Sequence, residues 1–149
     1  MDIKRLCVEE SPLACEVIRA LKRPEKSLNF SVEVAHRLLA RPENVFIVAL
    51  SEGEPAGFAL AYLLGRADRG RQMLCIYEIA VSERFRRRGV GRAMIDELKA
   101  LCRQLGLTKA WTVTSRSNEA AVGLYRGTGA RPGPGGDDVT MVRNPESWS

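Results

Sequence analysis

The sequence predicts an α/β (α+β) protein in which a meander of three strands precedes a half built of alternating helices and strands. Three β-rich runs follow one another at residues 45–50, 56–64 and 73–81, with no helical pattern between them. The last run is followed by helix, strand, helix and strand patterns, an order typical of an α/β layer. These two observations together predict the mixed class.

The first forty residues predict one strand and two helices. A short strand is predicted over residues 3–8. Pro12 opens a helical pattern that Pro24 ends, and Ser31 caps a second helix that stops before Pro42. The meander is therefore expected to begin after these three elements.

Turn residues and apolar spacing predict the remaining elements. Gly and Pro within residues 51–55 predict a hairpin turn, and the Gly- and Arg-rich residues 65–71 join the next two strands as antiparallel neighbours. Apolar residues at helical spacing predict a helix over residues 90–105 that ends at Gly106. Beyond it we predict a strand at 109–114, a helix at 118–125, a Gly/Pro-rich loop at 127–136 and a strand at 138–143.

Length and composition predict a single globular domain over residues 1–149. The chain is 45% hydrophobic and 28% charged, an ordinary balance for a folded protein. Its first residues are charged where a secretory signal is apolar, and its longest apolar run is too short for a bilayer. We therefore expect a cytoplasmic protein without membrane contact. Four cysteines without a CxxC pair and one histidine predict neither a disulfide nor a metal site.

A basic, glycine-bearing turn lies between the third strand of the meander and the helix at 90–105. Five arginines fall between residues 84 and 92, in a chain with a formal net charge of +5. Unpaired N–H groups at a helix start favour a phosphate there, and glycines let it approach the backbone. The P-loop pattern does not match, and a dinucleotide fingerprint would need glycine at Met94. Two interpretations stay open: a phosphate site or a solvated arginine run.

Two motifs in this part of the chain match known patterns: Arg86-x-x-Gly89-x-Gly91 and Asn118-x-x-Ala121-x-x-Leu124-Tyr125. The first resembles the Gln/Arg-x-x-Gly-x-Gly/Ala signature of the GNAT superfamily of N-acetyltransferases, and the second resembles another motif of that family. The resemblance covers residue 45 to the C-terminus. It implies a central mixed, mostly antiparallel twisted sheet of about six or seven strands, flanked by about four helices. Two parallel strands would splay apart at the cofactor cleft.

The resemblance also implies a cosubstrate, acetyl-CoA, and no metal. Backbone groups of Ile79, Ala80 and Val81 would bind the pantetheine arm, and the Asn118 side chain would contact it as well. Asn118 has a second interpretation as a simple helix N-cap. The diphosphate would lie on the turn formed by Arg86, Arg87, Arg88, Gly89, Val90, Gly91 and Arg92.

Two side chains are candidates for the chemistry of amide formation. Glu78 lies in an otherwise apolar strand, where burying a carboxylate is unfavourable without a partner. It is interpreted either as a general base or as the partner of an arginine in a structural ion pair. The resemblance implies that Tyr125 protonates the departing thiolate, although a packed aromatic is an alternative. The N–H of Ile79 or Ala80 would stabilise the oxyanion.

The acceptor is the hardest part to predict. Residues 76–81 resemble the corresponding strand of the aminoglycoside 3-N-acetyltransferases, so Tyr77, Glu78, Asp137 and Asp138 are expected to bind an aminoglycoside amine. The aspartates are alternatively a solvated turn. This interpretation implies that the acetyl group passes directly from acetyl-CoA to the aminoglycoside in a ternary complex. The enzyme would then confer antibiotic resistance. The alternatives are acetylation of a protein amine, a polyamine or another small amine, and a basic nucleic-acid-binding module. A homodimer is left open.

Overall fold

The computed structural model describes residues 1–68 and 70–132, and the backbone of residues 138–143. The chain forms two compact units. The first contains Met1–Ala61 and Glu78–Met94, and the second contains Tyr62–Tyr77 and the chain from Ile95 onward. A single domain over residues 1–149 stays a prediction.

The first unit packs two helices on the N-terminal strands. Its apolar core includes Ala14, Val17 and Ile18 from one helix, and Phe46 and Phe58 from two strands, whose rings stack with centroids 5.6 Å apart. This unit holds β1 (Asp2–Arg5), α1 (Ser11–Leu21), α2 (Pro24–Ser27), α3 (Val32–Leu39), β2 (Asn44–Ser51) and the first part of β3 (Glu54–Gly65).

Two strands and one helix belong partly to each unit. The second unit holds the end of β3, the start of β4 (Gln72–Val81) and most of α4 (Val90–Leu105). It also holds β5 (Ala110–Ser115), α5 (Glu119–Gly127), β6 (Arg131–Pro132) and β7 (Asp138–Arg143). The hydrogen-bonded strand order is β1-β2-β3-β4-β5-β7-β6. Seven strands in the described residues agree with the predicted sheet.

The pairings confirm a mixed, mostly antiparallel sheet. β1 and β2 are antiparallel, as are β5 with β7 and β6 with β7, whereas β4 and β5 are parallel. The β4–β5 register runs from Leu74 opposite Ala110 to Ile76 opposite Thr112, while β4 itself continues to Val81. This arrangement is the predicted α/β class with one parallel pair.

A two-residue turn joins β2 to β3. Glu52 and Gly53 both have positive φ, at 53° and 80°. This combination defines the type I′ turn, whose twist matches the flanking strands of a hairpin. The hairpin predicted at residues 51–55 is thereby confirmed.

Three details of the predicted elements were wrong. The first strand covers Asp2–Arg5 instead of residues 3–8, because the chain turns into a short 3₁₀ helix at Val8–Glu10. The helix opened near Pro12 does end before Pro24, but Pro24 also opens the one-turn helix α2, which was not predicted, since proline suits a first helical position. The predicted loop at 127–136 contains the two-residue strand β6, which pairs with β7.

The ends of the long helix follow the prediction. Val90–Leu105 is helical, and Gly106 adopts φ of 65° just beyond it. The Leu107 N–H donates to the Cys102 carbonyl at 2.9 Å, which closes the helix C-terminus as in a Schellman motif. In the described residues, no helix is both long enough and apolar enough to span a bilayer.

Cys102 on α4 is expected to make the protein less stable as the pH rises above about 9. Burial raises the pKa of its thiol to about 12, against 9.0 for an ordinary thiol. The folded-state pKa is the higher one, so the contribution is complete below about pH 9 and is lost as pH rises toward 12. We expect the unfolding free energy of the wild type to fall by about 1 kcal/mol per pH unit more than that of Cys102→Ala above pH 9. Urea unfolding of both proteins at about pH 8 and about pH 10.5 measures this difference, and parallel pH dependences would contradict it.

Candidate active site

The turn between β4 and α4 is anchored by one buried aromatic ring. After β4 ends at Val81, residues Glu83–Phe85 form a 3₁₀ turn whose Phe85 side chain is buried. The guanidinium carbons of Arg84 and Arg88 lie 5.3 and 5.7 Å from the centroid of this ring. Both guanidiniums lie within cation–π distance of the ring, and these contacts stabilise the start of the turn.

The backbone of the turn adopts an unusual conformation at two positions. Arg87 has φ of 61°, a left-handed value that non-glycine residues adopt rarely, and Gly89 has φ of 80°. The Gly89 carbonyl accepts the first helical hydrogen bond, from the Ala93 N–H at 2.9 Å. Val90 and Gly91 therefore lie in the first turn of α4, where the helix offers their N–H groups no acceptor. Such a turn at a helix start forms an anion-binding concavity.

The five arginines of the turn are all exposed but do not have the same partners. Arg84 forms an ion pair with Glu54 at 2.5 Å, in addition to its contact with Phe85. The Arg86 guanidinium lies 3.9 Å from the Glu83 carboxylate, a separation that gives little energy at this exposure. The contacts of Arg84 with Glu54 and Phe85 give it a structural role, whereas Arg86 and Arg87 expose their charge to solvent.

Gly57 on β3 sets how closely α4 approaches the end of β4. A Cβ at this position would lie 2.9 Å from the Ala80 carbonyl oxygen, 2.9 Å from Met94 Cε and 3.0 Å from Val90 Cγ1. Real Cβ atoms almost never show these distances, so a larger residue would displace β4 or the start of α4. No local sequence pattern marks Gly57 as a residue in contact with β4 and α4.

We expect Gly57→Ala to destabilise the protein by about 2 kcal/mol, because the added methyl overpacks a contact with backbone. Gly65→Ala on the same strand is the matched control, since a Cβ there meets no atom within 4 Å. Denaturant unfolding of the two variants and the wild type checks the prediction. Equal stability of both variants would contradict it.

Among the described residues, Glu78 pairs with a lysine and not with an arginine. Its carboxylate forms an ion pair with Lys22 Nζ at 3.0 Å. Lys22 is the residue directly after α1, in extended conformation at the helix C-terminus. Side-chain exposures of 30% for Glu78 and 27% for Lys22 leave both ends of the pair accessible to solvent. Glu78 therefore forms an ion pair, as one of its two interpretations predicts, but with Lys22 in place of an arginine. Because the carboxylate stays partly exposed, the interpretation of Glu78 as a general base also stays open.

Tyr125 on α5 is buried in the second unit. Burial raises the pKa of its hydroxyl, while a hydrogen bond with the Thr112 side chain acts in the opposite direction. The Thr112 hydroxyl itself donates to the Ile76 carbonyl at 2.8 Å, beside the last parallel pair of β4 and β5. Together with Ile95, Trp111, Thr128 and others, these residues line a small, mainly apolar pocket. The Tyr125 hydroxyl is therefore protonated at neutral pH, as that of an ordinary tyrosine also is.

Asn118 is the N-cap of α5. Its side-chain oxygen accepts the Ala121 N–H at 3.2 Å, so the structural interpretation of this residue is observed. The cap uses only the oxygen of the amide. The NH₂ group of this exposed side chain is a donor that the cap does not use.

Of the three other expected substrate residues, only Tyr77 has a described side chain. Tyr77 is 66% exposed, and its ring meets that of Tyr62 edge to face at 5.7 Å. Because successive strand residues point to opposite faces, Tyr77 and Glu78 do not share a face of β4. Asp138 begins β7 opposite Ser115, and Asp137 lies outside the described residues.

The backbone expected to bind the pantetheine arm is the last part of β4. Ile79, Ala80 and Val81 are all half-buried, and Ala80 packs against the core of the first unit. The Ser82 N–H donates to the Ala56 carbonyl at 2.9 Å, which ties the end of this segment to β3. The segment is therefore held in place before any ligand binds.

Comparison with known proteins identifies the family. Residues 15–130 match the family described as Acetyltransferase (GNAT) family. The chain is 30% identical over 84 residues to N-acetyltransferase family 8 member 2 of Rattus norvegicus, covering 56% of this chain and 37% of that protein. Member 3 of the same family from Mus musculus is 27% identical over 97 residues, covering 65% and 43%. The chain thus spans about two fifths of the length of the curated relatives it matches.

Solved structures show the same fold. An aminoglycoside acetyltransferase from an uncultured soil metagenomic sample, in complex with trehalose, has a TM-score of 0.75 at 25% identity, covering 86% of both chains. A second such enzyme from soil metagenomic DNA has a TM-score of 0.78 at 25% identity, covering 93% and 96%. The PaiA N-acetyltransferase of Thermoplasma acidophilum, in complex with coenzyme A, has a TM-score of 0.75 at 15% identity, covering 96% and 98%. The family match over residues 15–130 and the shared fold place this chain in the GNAT family of acetyltransferases.

Proposed function

We propose that this chain transfers an acetyl group from acetyl-CoA to an amine. The observation that carries the proposal is the backbone of the turn before α4, with left-handed Arg87 and Gly89 and a first helical turn whose N–H groups have no acceptor within the helix. Diphosphates bind such concavities through backbone N–H groups and the helix dipole. The GNAT family membership and a coenzyme A complex of a protein with this fold support the same ligand.

The residues present fit the coenzyme along two stretches of the first unit. The amides of residues 87–92 would take the diphosphate, and the exposed guanidiniums of Arg86 and Arg87 would add charge. Ile79, Ala80 and Val81 would bond the pantetheine amides through their backbone. The NH₂ of Asn118, which belongs to the second unit, is proposed as a further donor. When bound, acetyl-CoA supplies an activated acyl group whose leaving group is a thiolate.

Three residues would carry out the transfer. Glu78 takes a proton from the acceptor ammonium, so that the neutral amine attacks the thioester carbonyl and the C–N bond forms. The N–H of Ile79 or Ala80 donates to the oxyanion as it develops. As the C–S bond breaks, the attacking nitrogen loses its second proton to solvent, and the Tyr125 hydroxyl donates its proton to the thiolate. Solvent then returns a proton to Tyr125 and takes the proton from Glu78.

We propose an aminoglycoside as the acceptor class. Support comes from two aminoglycoside acetyltransferases at 25% identity and from the accessible carboxylate of Glu78, which suits a cationic amine. Asp137 and Asp138 are proposed to add negative charge to the acceptor site. Tyr77 points to the face of β4 opposite Glu78, so its expected contact with the substrate is not part of the proposal. A protein amine, a polyamine and another small amine remain predictions that the same assay tests.

The experiment is release of free thiol from acetyl-CoA across a panel of gentamicin-like aminoglycosides, polyamines and basic peptides. The exposed thiol of Cys7 adds a constant background, which a reaction without amine measures. We expect turnover with at least one polycationic aminoglycoside, with the acetylated product seen by mass spectrometry. Turnover with peptides or polyamines alone would overturn the acceptor class, and no turnover with any amine would overturn the proposed activity.

A further inference from the structure

We infer that Lys22 occupies the acceptor-amine position on Glu78 and must be displaced for the substrate to bind. The inference rests on the proposed function, because it takes Glu78 as the group that receives the acceptor ammonium. Its observation is the 3.0 Å contact between Lys22 Nζ and the Glu78 carboxylate. The Lys22 side chain ends in a primary ammonium, the same group that a substrate amine presents. It lies at hydrogen-bond distance from the proposed base, where the substrate ammonium would bind.

The position of Lys22 in the fold supports this role. The residue follows α1 with φ of −101° and ψ of 150°, so it has left the helix, and its N–H still donates to the Ile18 carbonyl at 2.9 Å. Its backbone is therefore held while its side chain extends to β4. A lysine stem has many rotamers, so the ammonium moves away without any change in the backbone.

The exposure of the pair makes the displacement feasible. The side chains of the pair keep 27% and 30% of their surface exposed, so water reaches both charged groups and solvates them when they separate. The released Lys22 ammonium therefore regains water, and the incoming amine replaces its charge on Glu78. A buried pair would instead resist exchange, since separation would leave an uncompensated charge in the interior.

The consequence is a lower affinity for the substrate amine in the wild type than Glu78 alone would give. Lys22 competes within the molecule for the carboxylate, and its charge also repels a cationic acceptor. Removing the ammonium while keeping the length of the side chain should therefore strengthen amine binding. The chemical step, in which Lys22 takes no part, should change little.

The test compares Lys22→Met with Lys26→Met, which makes the same change of charge on the exposed neighbouring helix α2. We expect Lys22→Met to lower KM for the best aminoglycoside of the panel about fivefold, with kcat and KM for acetyl-CoA within about twofold of wild type. Lys26→Met should leave all three constants close to wild type. Lys22→Gln is a second variant in case the methionine form is unstable, and circular dichroism verifies folding.

An unchanged or raised KM for the amine in folded Lys22→Met and Lys22→Gln would overturn the inference. So would a large loss of kcat, which would show that Lys22 positions Glu78 for catalysis. Both outcomes presuppose an active wild type, so they are distinct from failure of the proposed function, in which the wild type releases no thiol with any amine. An equal fall of KM in Lys26→Met would reduce the effect to net charge and would also overturn it.

Discussion

Glu78→Gln is expected to lower kcat about 100- to 1000-fold while leaving the affinity for acetyl-CoA within about twofold. The amide keeps the size of the side chain and a hydrogen bond to Lys22, but it cannot take a proton from the acceptor ammonium. Steady-state kinetics with the best amine, together with calorimetric titration of coenzyme A, separates the two effects.

Glu16→Gln is the matched control for this substitution. Glu16 is exposed on α1 of the same unit, so its amide variant makes the same change of charge away from β4. It should retain wild-type kcat. If Glu78→Gln loses turnover and coenzyme affinity by similar factors, or loses mainly stability, the carboxylate is structural and another group accepts the proton.

Gly89→Ala is expected to weaken coenzyme A binding about 10- to 100-fold. At φ of 80° a side chain strains the backbone, and relief of that strain turns the N–H groups at the start of α4 away from the diphosphate. A Cβ at this position meets no protein atom within 4 Å, so the effect comes from conformation and from contact with the ligand, not from core packing. Titration calorimetry with coenzyme A measures the change.

The chain offers a close control for this variant in the β2–β3 hairpin. Gly53 also has φ of 80°, and a Cβ there likewise meets no atom within 4 Å. Gly53→Ala should therefore lose a similar amount of stability in denaturant unfolding but keep wild-type affinity for coenzyme A. Equal affinities in the two variants would show that the turn before α4 does not hold the diphosphate.

The fold was largely predictable because its local signals agree with one another. The apolar spacing of α4 and the glycine that ends it, the hairpin at residues 51–55, and the Asn118 cap are each set by neighbours in sequence. Pro24 shows where such local rules are ambiguous. The same residue ends one helix and begins another, and only the packing of the first unit decides that both occur.

The candidate site was predictable only where it is made of consecutive residues. The basic turn is a single stretch of chain, so its motif was visible in the sequence. Lys22 and Gly57, by contrast, reach β4 from elements that are distant in sequence, and no local pattern links them to Glu78 or Ala80. Thr112 carried no distinctive signal, because β5 also contains Thr114 and Ser115, and its bond to the Ile76 carbonyl depends on the register of β4 and β5.

A crystal structure of the protein grown with coenzyme A tests most directly whether the turn before α4 binds the diphosphate. We expect diphosphate oxygens to lie about 3 Å from backbone nitrogens of residues 87–92, with the left-handed conformations of Arg87 and Gly89 retained. Coenzyme bound elsewhere, with this turn facing only solvent, would contradict it.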